Sequence, residues 1–176
     1  MVRYHDEEWG RPLHDERRLF EMLCLEGAQA GLSWRTVLHK REAYRSAFDQ
    51  FDARKIARYS DARRQKLLAN AGIVRNRLKV EAFVSNAQAY LGLLDSGSTL
   101  DAYFWQFTNA KVVRHRRKTL GDYPVSTPIS DALAKDLKKR GFKFVGTTIC
   151  YALMQSIGMA DDHQHRCWVG EEMDRV

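Results

Sequence analysis

The stretch that decides the fold of this chain is Leu67-Leu68-Ala69-Asn70-Ala71-Gly72-Ile73-Val74-Arg75-Asn76-Arg77-Leu78-Lys79. The end of one helix is followed by a tight turn centred on Gly72, and then by a helix whose first turn is rich in Arg and Asn. This pattern predicts a hairpin of two helices over about residues 61–80. The backbone N–H groups of such a turn point outward with positive partial charge and suit a DNA phosphate, and Arg75 and Arg77 add full charges. The alternative is an ordinary corner between two helices with a solvated basic turn.

Residues typical of helix N-caps indicate where the other helices of the chain begin. Asp15 opens a predicted helix that runs to about Glu26, and a longer helix is predicted from about residue 74 or 75 to about residue 94. The other predicted N-caps are Ser33, Asp52, Ser60, Ser98 or Thr99, and Ser130. Alternation typical of a strand is confined to residues 142–146, and residues 109–128 are predicted to be a loop. The sequence therefore predicts an all-α fold, as a single domain over residues 1–176 or as two helical lobes.

Composition restricts the class of protein. The chain has 176 residues, 44% of them apolar, with a formal net charge of +7 and clustered Lys and Arg. Such a surface attracts polyanions, so nucleic acid is the leading partner class. No apolar run reaches membrane-spanning length, no signal peptide is present, and three cysteines do not make a disulfide framework. We expect a cytoplasmic monomer that does not bind membranes.

The segment from Leu23 to Trp34 indicates a ligand pocket. It places Glu26 at the end of an apolar helix, followed by small residues, Gln29 and Trp34. Glycines let a backbone approach a ligand, an indole offers a stacking face, and a carboxylate accepts hydrogen bonds. The alternative makes Gly27 a helix C-cap and Trp34 a core residue, with Glu26 solvated. A similar choice applies to Tyr4, Trp9 and Trp34, which either sandwich a planar base or belong to the core.

A possible metal site lies near the C-terminus. His163 and Cys167 are four residues apart and are both good zinc ligands. A closed zinc site needs four ligands, and the other candidates in the chain are His5, His165, Cys24 and Cys150. A lone His or Cys is more often a packed or surface residue, and that alternative stays open at this point.

Four stretches carry a resemblance to a known family. They are Tyr4-His5-Asp6-Glu7-Glu8-Trp9-Gly10, residues 19–34, Ala71-Gly72-Ile73-Val74-Arg75-Asn76-Arg77 and residues 138–151. In this order they closely resemble bacterial 3-methyladenine DNA glycosylase I over nearly the whole chain. The resemblance implies a helix-hairpin-helix glycosylase that excises alkylated adenine from double-stranded DNA and leaves an abasic site, in base excision repair. No Schiff-base lysine stands out, so we expect a monofunctional enzyme without strand cleavage.

The resemblance also implies roles for individual residues. Glu26 would be the catalytic group that hydrogen-bonds the flipped base, and Leu32 beside Gly31 would wedge into the duplex. The substrate-binding residues would be Tyr4, Trp34 and Gln29, and the DNA-binding residues Gly31, Leu32, Gly72, Arg75 and Arg77.

The same resemblance implies a structural zinc that joins the chain ends. Its ligands here would be His5, His163 and Cys167, while the family's fourth ligand, a cysteine upstream of His5, and a neighbouring pocket tryptophan have no counterpart in this sequence. Either the start is truncated or misassigned, or zinc binds weakly, takes water or another residue in the fourth position, or is not needed. Two rival functions follow: a DNA-binding helix-hairpin-helix module that is non-catalytic or catalytically impaired, and a zinc-dependent enzyme.

Overall fold

The computed structural model describes residues 1–175 apart from the side chain of Leu120, and within them it confirms the all-α prediction. The helices are α1 (Val2–Glu7), α2 (Glu16–Gln29), α3 (Trp34–His39), α4 (Arg41–Ala47), α5 (Ala53–Ile56), α6 (Asp61–Ala69), α7 (Arg77–Asp95), α8 (Leu100–Trp105), α9 (Pro128–Lys139), α10 (Thr147–Ser156) and α11 (Trp168–Met173). Short 3-10 turns cover Asp49–Phe51, Gln106–Thr108 and Leu120–Asp122. None of these helices has both the length and the apolar character that crossing a bilayer requires.

Most of the predicted N-caps are confirmed because capping depends on local chemistry. A side-chain oxygen accepts a backbone N–H of the following first turn at Asp15, Ser33, Asp52, Ser60 and Thr99. The prediction for Ser130 is wrong. Helix α9 begins at Pro128, with Thr127 as its N-cap, and the Ser130 hydroxyl accepts the Thr127 N–H in a reciprocal capping box.

The hairpin predicted over residues 61–80 is formed by α6 and α7, but its turn is longer than predicted. Helix α6 ends at Ala69 and α7 begins at Arg77. The expectation that the turn's N–H groups face outward is wrong at two positions, since the Asn70 side chain accepts the Gly72 N–H at 2.8 Å and the Tyr44 hydroxyl accepts the Val74 N–H at 3.1 Å. These bonds fix the turn from inside the protein.

Helix α2 is the centre of the core. It packs against α3, α7, α8 and α10, and Leu19, Phe20 and Leu25 are completely buried. The buried apolar side chains around it form a single cluster, whose members are drawn from the chain between Tyr4 and Ala160. Because α2 extends past Glu26 to Gln29, the helix carries that carboxyl group into the protein interior.

The two ends of the chain meet at close range. The Gly10 N–H donates to the Gln155 carbonyl at 2.9 Å, and the Leu13 N–H donates to the Ile157 carbonyl at 3.0 Å. Gly158 has a φ of +75°, and a Cβ there would lie 2.2 Å from the carbonyl carbon of Arg11. A glycine is therefore required where the N-terminal segment crosses the C-terminal region.

Two short helices and two short strands were not predicted. The helices are α1 and α11, and β1 (Val113–Arg114) pairs in parallel with β2 (Ala160–Asp161) over two residues each. Strand β1 lies within residues 109–128, where only a loop was predicted, and residues 142–146 form no strand. A two-residue strand is too short for alternation to reveal it.

Candidate active site

Glu26 is a buried carboxyl group near the C-terminal end of α2. It is 3% exposed, and in the described part of the chain no Lys, Arg or His lies within ion-pair distance of it. Burial raises the pKa of Glu26 to about 8, and the nearby Ser156 hydroxyl opposes that rise. The alternative in which Glu26 is solvated is wrong. Near neutral pH this site holds a carboxyl group that a cation would readily ionise.

Two aromatic rings accompany Glu26. Tyr4 of α1 and Trp34 of α3 have ring centroids 5.4 Å apart with planes tilted by 48°. Burial, and then the charge of Glu26, raise the pKa of Tyr4. The Trp34 Nε1–H is buried and has no hydrogen-bond partner in the part of the chain that the structure describes. A free buried donor is uncommon in a folded protein, so this cluster is suited to an incoming acceptor.

The segment between α2 and α3 is a tight turn over residues 29–32. The Leu32 N–H donates to the Gln29 carbonyl at 2.7 Å, and Gly31 has a φ of +74°. The Gln29 amide spans the turn to the Leu32 carbonyl at 3.4 Å. Leu32 is 40% exposed at the tip. The alternative in which Gly27 caps the helix is wrong, because α2 continues to Gln29.

The hairpin turn presents a basic surface. Arg75 and Arg77 are both exposed, and Arg77 Nε donates to Glu81 at 2.8 Å. Lys40 holds the other side of the turn, since its Nζ donates to the carbonyls of Ala71 at 2.9 Å and Gly72 at 3.4 Å. These carbonyls therefore face the half-buried ammonium group of Lys40.

An ion-pair network beside the site was missed by sequence reasoning. Glu21, which is 4% exposed on α2, binds Arg41 and Arg45 of α4. Arg41 also binds Glu8 at 2.7 Å and so fastens the segment that follows α1. The signal in the sequence is Glu21 itself, a charge inside an apolar stretch, but its partners lie too far along the chain to be inferred.

His5, His163 and Cys167 form a cluster of possible metal ligands. Their ligand atoms lie within 4.8 Å of one another, and His5 Nε2 is 3.6 Å from Cys167 Sγ. Each histidine has its Nδ1 against a carboxylate, at 2.8 Å from Asp6 and 2.7 Å from Asp161. This arrangement leaves each Nε2 available to a metal. The Nε2 of His5 meets Cys167 Sγ, and the Nε2 of His163 is buried without a partner in the described part of the chain.

The other sequence candidates for metal binding lie elsewhere. Cys24 and Cys150 are buried in α2 and α10, and His165 is exposed and outside the cluster. A cavity of about 500 Å³ adjoins the cluster and is lined by all three of its residues, but Tyr4, Glu26 and Trp34 do not line it. The metal-ligand cluster and the aromatic cluster are therefore adjacent but distinct, joined through consecutive residues of α1.

Comparison with known proteins agrees with this geometry. The family model described as methyladenine glycosylase matches residues 1–170. The chain belongs to the methyladenine glycosylase family. It is 51% identical over 166 residues to "DNA-3-methyladenine glycosylase 1" of Escherichia coli (strain K12), covering 94% of this chain and 89% of that protein.

Solved structures support the same membership. A crystal structure of 3-methyladenine DNA glycosylase I superposes with a TM-score of 0.93 at 51% identity, over 95% of this chain and 92% of that one. A structure from Staphylococcus aureus that addresses 3-methyladenine recognition superposes with a TM-score of 0.93 at 35% identity, over 96% and 90% of the two chains. As a member of this family, the chain is an enzyme of the class that hydrolyses N-glycosyl bonds.

Proposed function

We propose that the chain is a monofunctional DNA glycosylase that hydrolyses the N-glycosidic bond of 3-methyladenine in alkylated double-stranded DNA and leaves an abasic site, as a step of base excision repair. The observation that carries the proposal is Glu26, a buried carboxyl group without a cationic partner among the described residues, beside Tyr4 and Trp34. The names of its relatives point to the same substrate.

The chemistry of the substrate fits this cluster. Alkylation at N3 places a positive charge on adenine, so the glycosidic bond is already weakened and the leaving base needs little protonation. A cationic ring is attracted to the electron-rich faces of Tyr4 and Trp34 more strongly than neutral adenine. The base must first be flipped out of the stack into the protein. Recognition of its charge can then supply much of the discrimination.

Glu26 is the group that responds to that charge. Its pKa of about 8 means that the carboxyl is mostly protonated in the free protein at neutral pH. A cationic base beside it favours the ionised form, which accepts hydrogen bonds from the base and stabilises positive charge developing on the sugar. Without the cation, ionisation is opposed by burial. The site therefore has its greatest electrostatic attraction for a charged base.

The hairpin and the 29–32 turn are proposed to bind the duplex. We assign the α6–α7 hairpin as a helix-hairpin-helix element, in which the exposed Arg75 and Arg77 contact one strand through its phosphates. Gly72 would serve only the tight turn, because its N–H is already bonded to Asn70. The exposed Leu32, presented by Gly31, would fill the gap left by the flipped nucleotide. Gln29, whose amide bonds to the Leu32 carbonyl across this turn, would contact the flipped base.

A structural zinc ion is proposed for His5, His163 and Cys167. Two imidazoles and a thiolate are a donor set that zinc prefers, and the carboxylates behind both histidines favour coordination through Nε2. The Nε2 of His163 is buried and has no partner among the described residues, which fits a metal ligand better than a core residue. When bound, the ion would join α1 to the segment before α11. The cytoplasmic location and the monomeric state stay predictions.

The test is release of free base from methylated DNA. Purified protein is incubated with duplex DNA treated with a methylating agent, and the released bases are separated and identified. We expect 3-methyladenine in the supernatant and abasic sites, without strand breaks, in the DNA. Binding to abasic DNA without any base release would instead support the non-catalytic module and overturn the proposed function.

A further inference from the structure

Lys79 connects the hairpin to the turn that carries Leu32. It lies in the first turn of α7, is 7% exposed, and donates from Nζ to the carbonyls of Ala28 at 2.7 Å and Ala30 at 2.6 Å. Both carbonyls belong to the C-terminal end of α2, where a cation is favoured by the helix dipole. Burial lowers the pKa of Lys79. Burying an ammonium group costs desolvation free energy, and these two hydrogen bonds offset that cost.

The carbonyl of Ala30 has a special position. Ala30 has φ −45° and ψ 120°, Gly31 has φ +74°, and the Leu32 N–H closes the turn on Gln29. These values are those of a type II turn. Type I and type II turns differ by a flip of the central peptide, whose oxygen here is that of Ala30. A hydrogen bond to this oxygen therefore selects between the two turn types.

We propose that Lys79 is a positioning residue that locks the Ala30–Gly31 peptide in the type II orientation and so fixes the direction in which Leu32 leaves the protein. The lysine also connects the hairpin to the 29–32 turn, since its backbone lies in the first turn of α7 while its ammonium group binds the turn's carbonyls. This inference rests on the proposed insertion of Leu32 into the duplex for its functional consequence. The lock itself is a property of the fold.

Gly31 supplies an independent probe of the lock. Among the described residues, no atom lies within 4 Å of the place where a Cβ would stand at Gly31, so the strain of Gly31→Ala comes from its φ of +74°. If the peptide flips to type I, residue 31 leaves the left-handed region and Ala is tolerated. Loss of the lysine bond should therefore remove the penalty of Gly31→Ala.

The experiment compares Lys79→Met, Gly31→Ala and the double variant, with Lys40→Met as the matched control. Lys40 also donates to two backbone carbonyls, but those of the hairpin turn. For each protein we measure the free energy of unfolding, single-turnover excision from methylated duplex DNA, and binding of free 3-methyladenine. Leu32→Ala is included to test the insertion separately.

We expect Gly31→Ala and Lys79→Met each to slow duplex excision by about tenfold, with binding of the free base unchanged. The double variant should be no slower than Lys79→Met, and Gly31→Ala should destabilise the wild-type and Lys40→Met proteins but not Lys79→Met. Additive losses in the double variant, in both unfolding and excision, would overturn the lock. Normal excision by Leu32→Ala would show that Leu32 does not act by insertion into the duplex. The unfolding measurements would still test whether Lys79 stabilises the type II turn.

Discussion

Helix α2 buries two glutamates that differ in their surroundings. Glu21 is 4% exposed and bound by Arg41 and Arg45, whereas Glu26 is 3% exposed and has no ion-pair partner in the described part of the chain. Each lies on the same helix and in the same core. The difference is that α4 supplies the charge that balances Glu21, while the surroundings of Glu26 supply two aromatic rings.

The difference indicates that Glu21 stabilises the fold, whereas Glu26 is available to pair with a ligand. A buried ion pair is satisfied in the free protein and gains nothing from a visiting cation. A buried carboxyl group without a cationic partner is unfavourable in its ionised form. Such groups are common at functional sites. We therefore infer that the fold retains Glu26 for recognition and catalysis, and Glu21 for positioning α4 and Glu8.

The largest effect is expected on excision. Glu26→Gln keeps the shape of the side chain but cannot ionise, so it should slow single-turnover release of 3-methyladenine by about a thousandfold. Glu21→Gln is the matched control, since it changes an equally buried carboxylate on the same helix. Its excision rate per folded molecule should stay within a few-fold of that of the wild type. Equal losses in both variants would contradict the division of roles.

Replacing each glutamate with Gln should also change the free energy of unfolding, in opposite directions at the two positions. The pKa of Glu26 is raised by folding, so ionisation at high pH opposes the folded state, and stability is lost as pH rises from about 4.5 toward about 8. Glu26→Gln should then raise the free energy of unfolding by about 4 kcal/mol at pH 8.5 and by little at pH 4.

Glu21→Gln should lower that free energy by about 3 kcal/mol at pH 8.5, because it leaves buried arginine charge unbalanced. Denaturant titrations at the two pH values measure both effects. A destabilised Glu26→Gln protein at pH 8.5 would show that Glu26 is balanced after all.

Removal of zinc should have a smaller effect and should act on the fold. At a metal concentration a hundredfold above the dissociation constant, binding stabilises the folded state by about 2.7 kcal/mol. Chelation should lower the melting temperature, and Cys167→Ala should lose bound zinc while His165→Ala keeps it. Metal analysis of the purified proteins measures this directly. A wild-type protein that binds no zinc would refute the site.

The smallest effect is expected at the cap of α3. Ser33 accepts the Thr36 N–H and sets the start of the helix that carries Trp34. Ser33→Ala should cost about 1 kcal/mol of stability and lower excision only slightly, because the ring is also held by packing. Chemical denaturation measures the loss. A collapse of activity without loss of stability would mean that Ser33 contacts the DNA.

Local chemistry explains what the sequence could predict. Asp15 and Ser33 cap helices through residues three positions away, so their roles follow from short-range hydrogen bonding. Thr127 was missed because Ser130, its partner in the capping box, competes with it in the pattern. Boundaries near such pairs cannot be placed by residue type alone.

Long-range contacts explain which features could not be predicted from the sequence. Nothing near Glu21 in the sequence indicates Arg41, since this ion pair forms only when α4 is folded against α2. The grouping of Tyr4 with Glu26 came only from the family resemblance, because no short-range pattern links residues so far apart in the chain. The grouping of His5 with the C-terminal residues came from the family resemblance and is present in the structure. The roles assigned to these residues stay predictions until they are tested.

The most direct test of the central claim is the pH dependence of kcat/KM for excision from methylated duplex DNA, at constant ionic strength. If the ionised form of Glu26 recognises the cationic base, kcat/KM should rise about tenfold per pH unit below about pH 8 and then level off, in the wild type and in Glu21→Gln alike. A profile that is flat from about pH 6 to 9, or that falls with pH, would contradict the account.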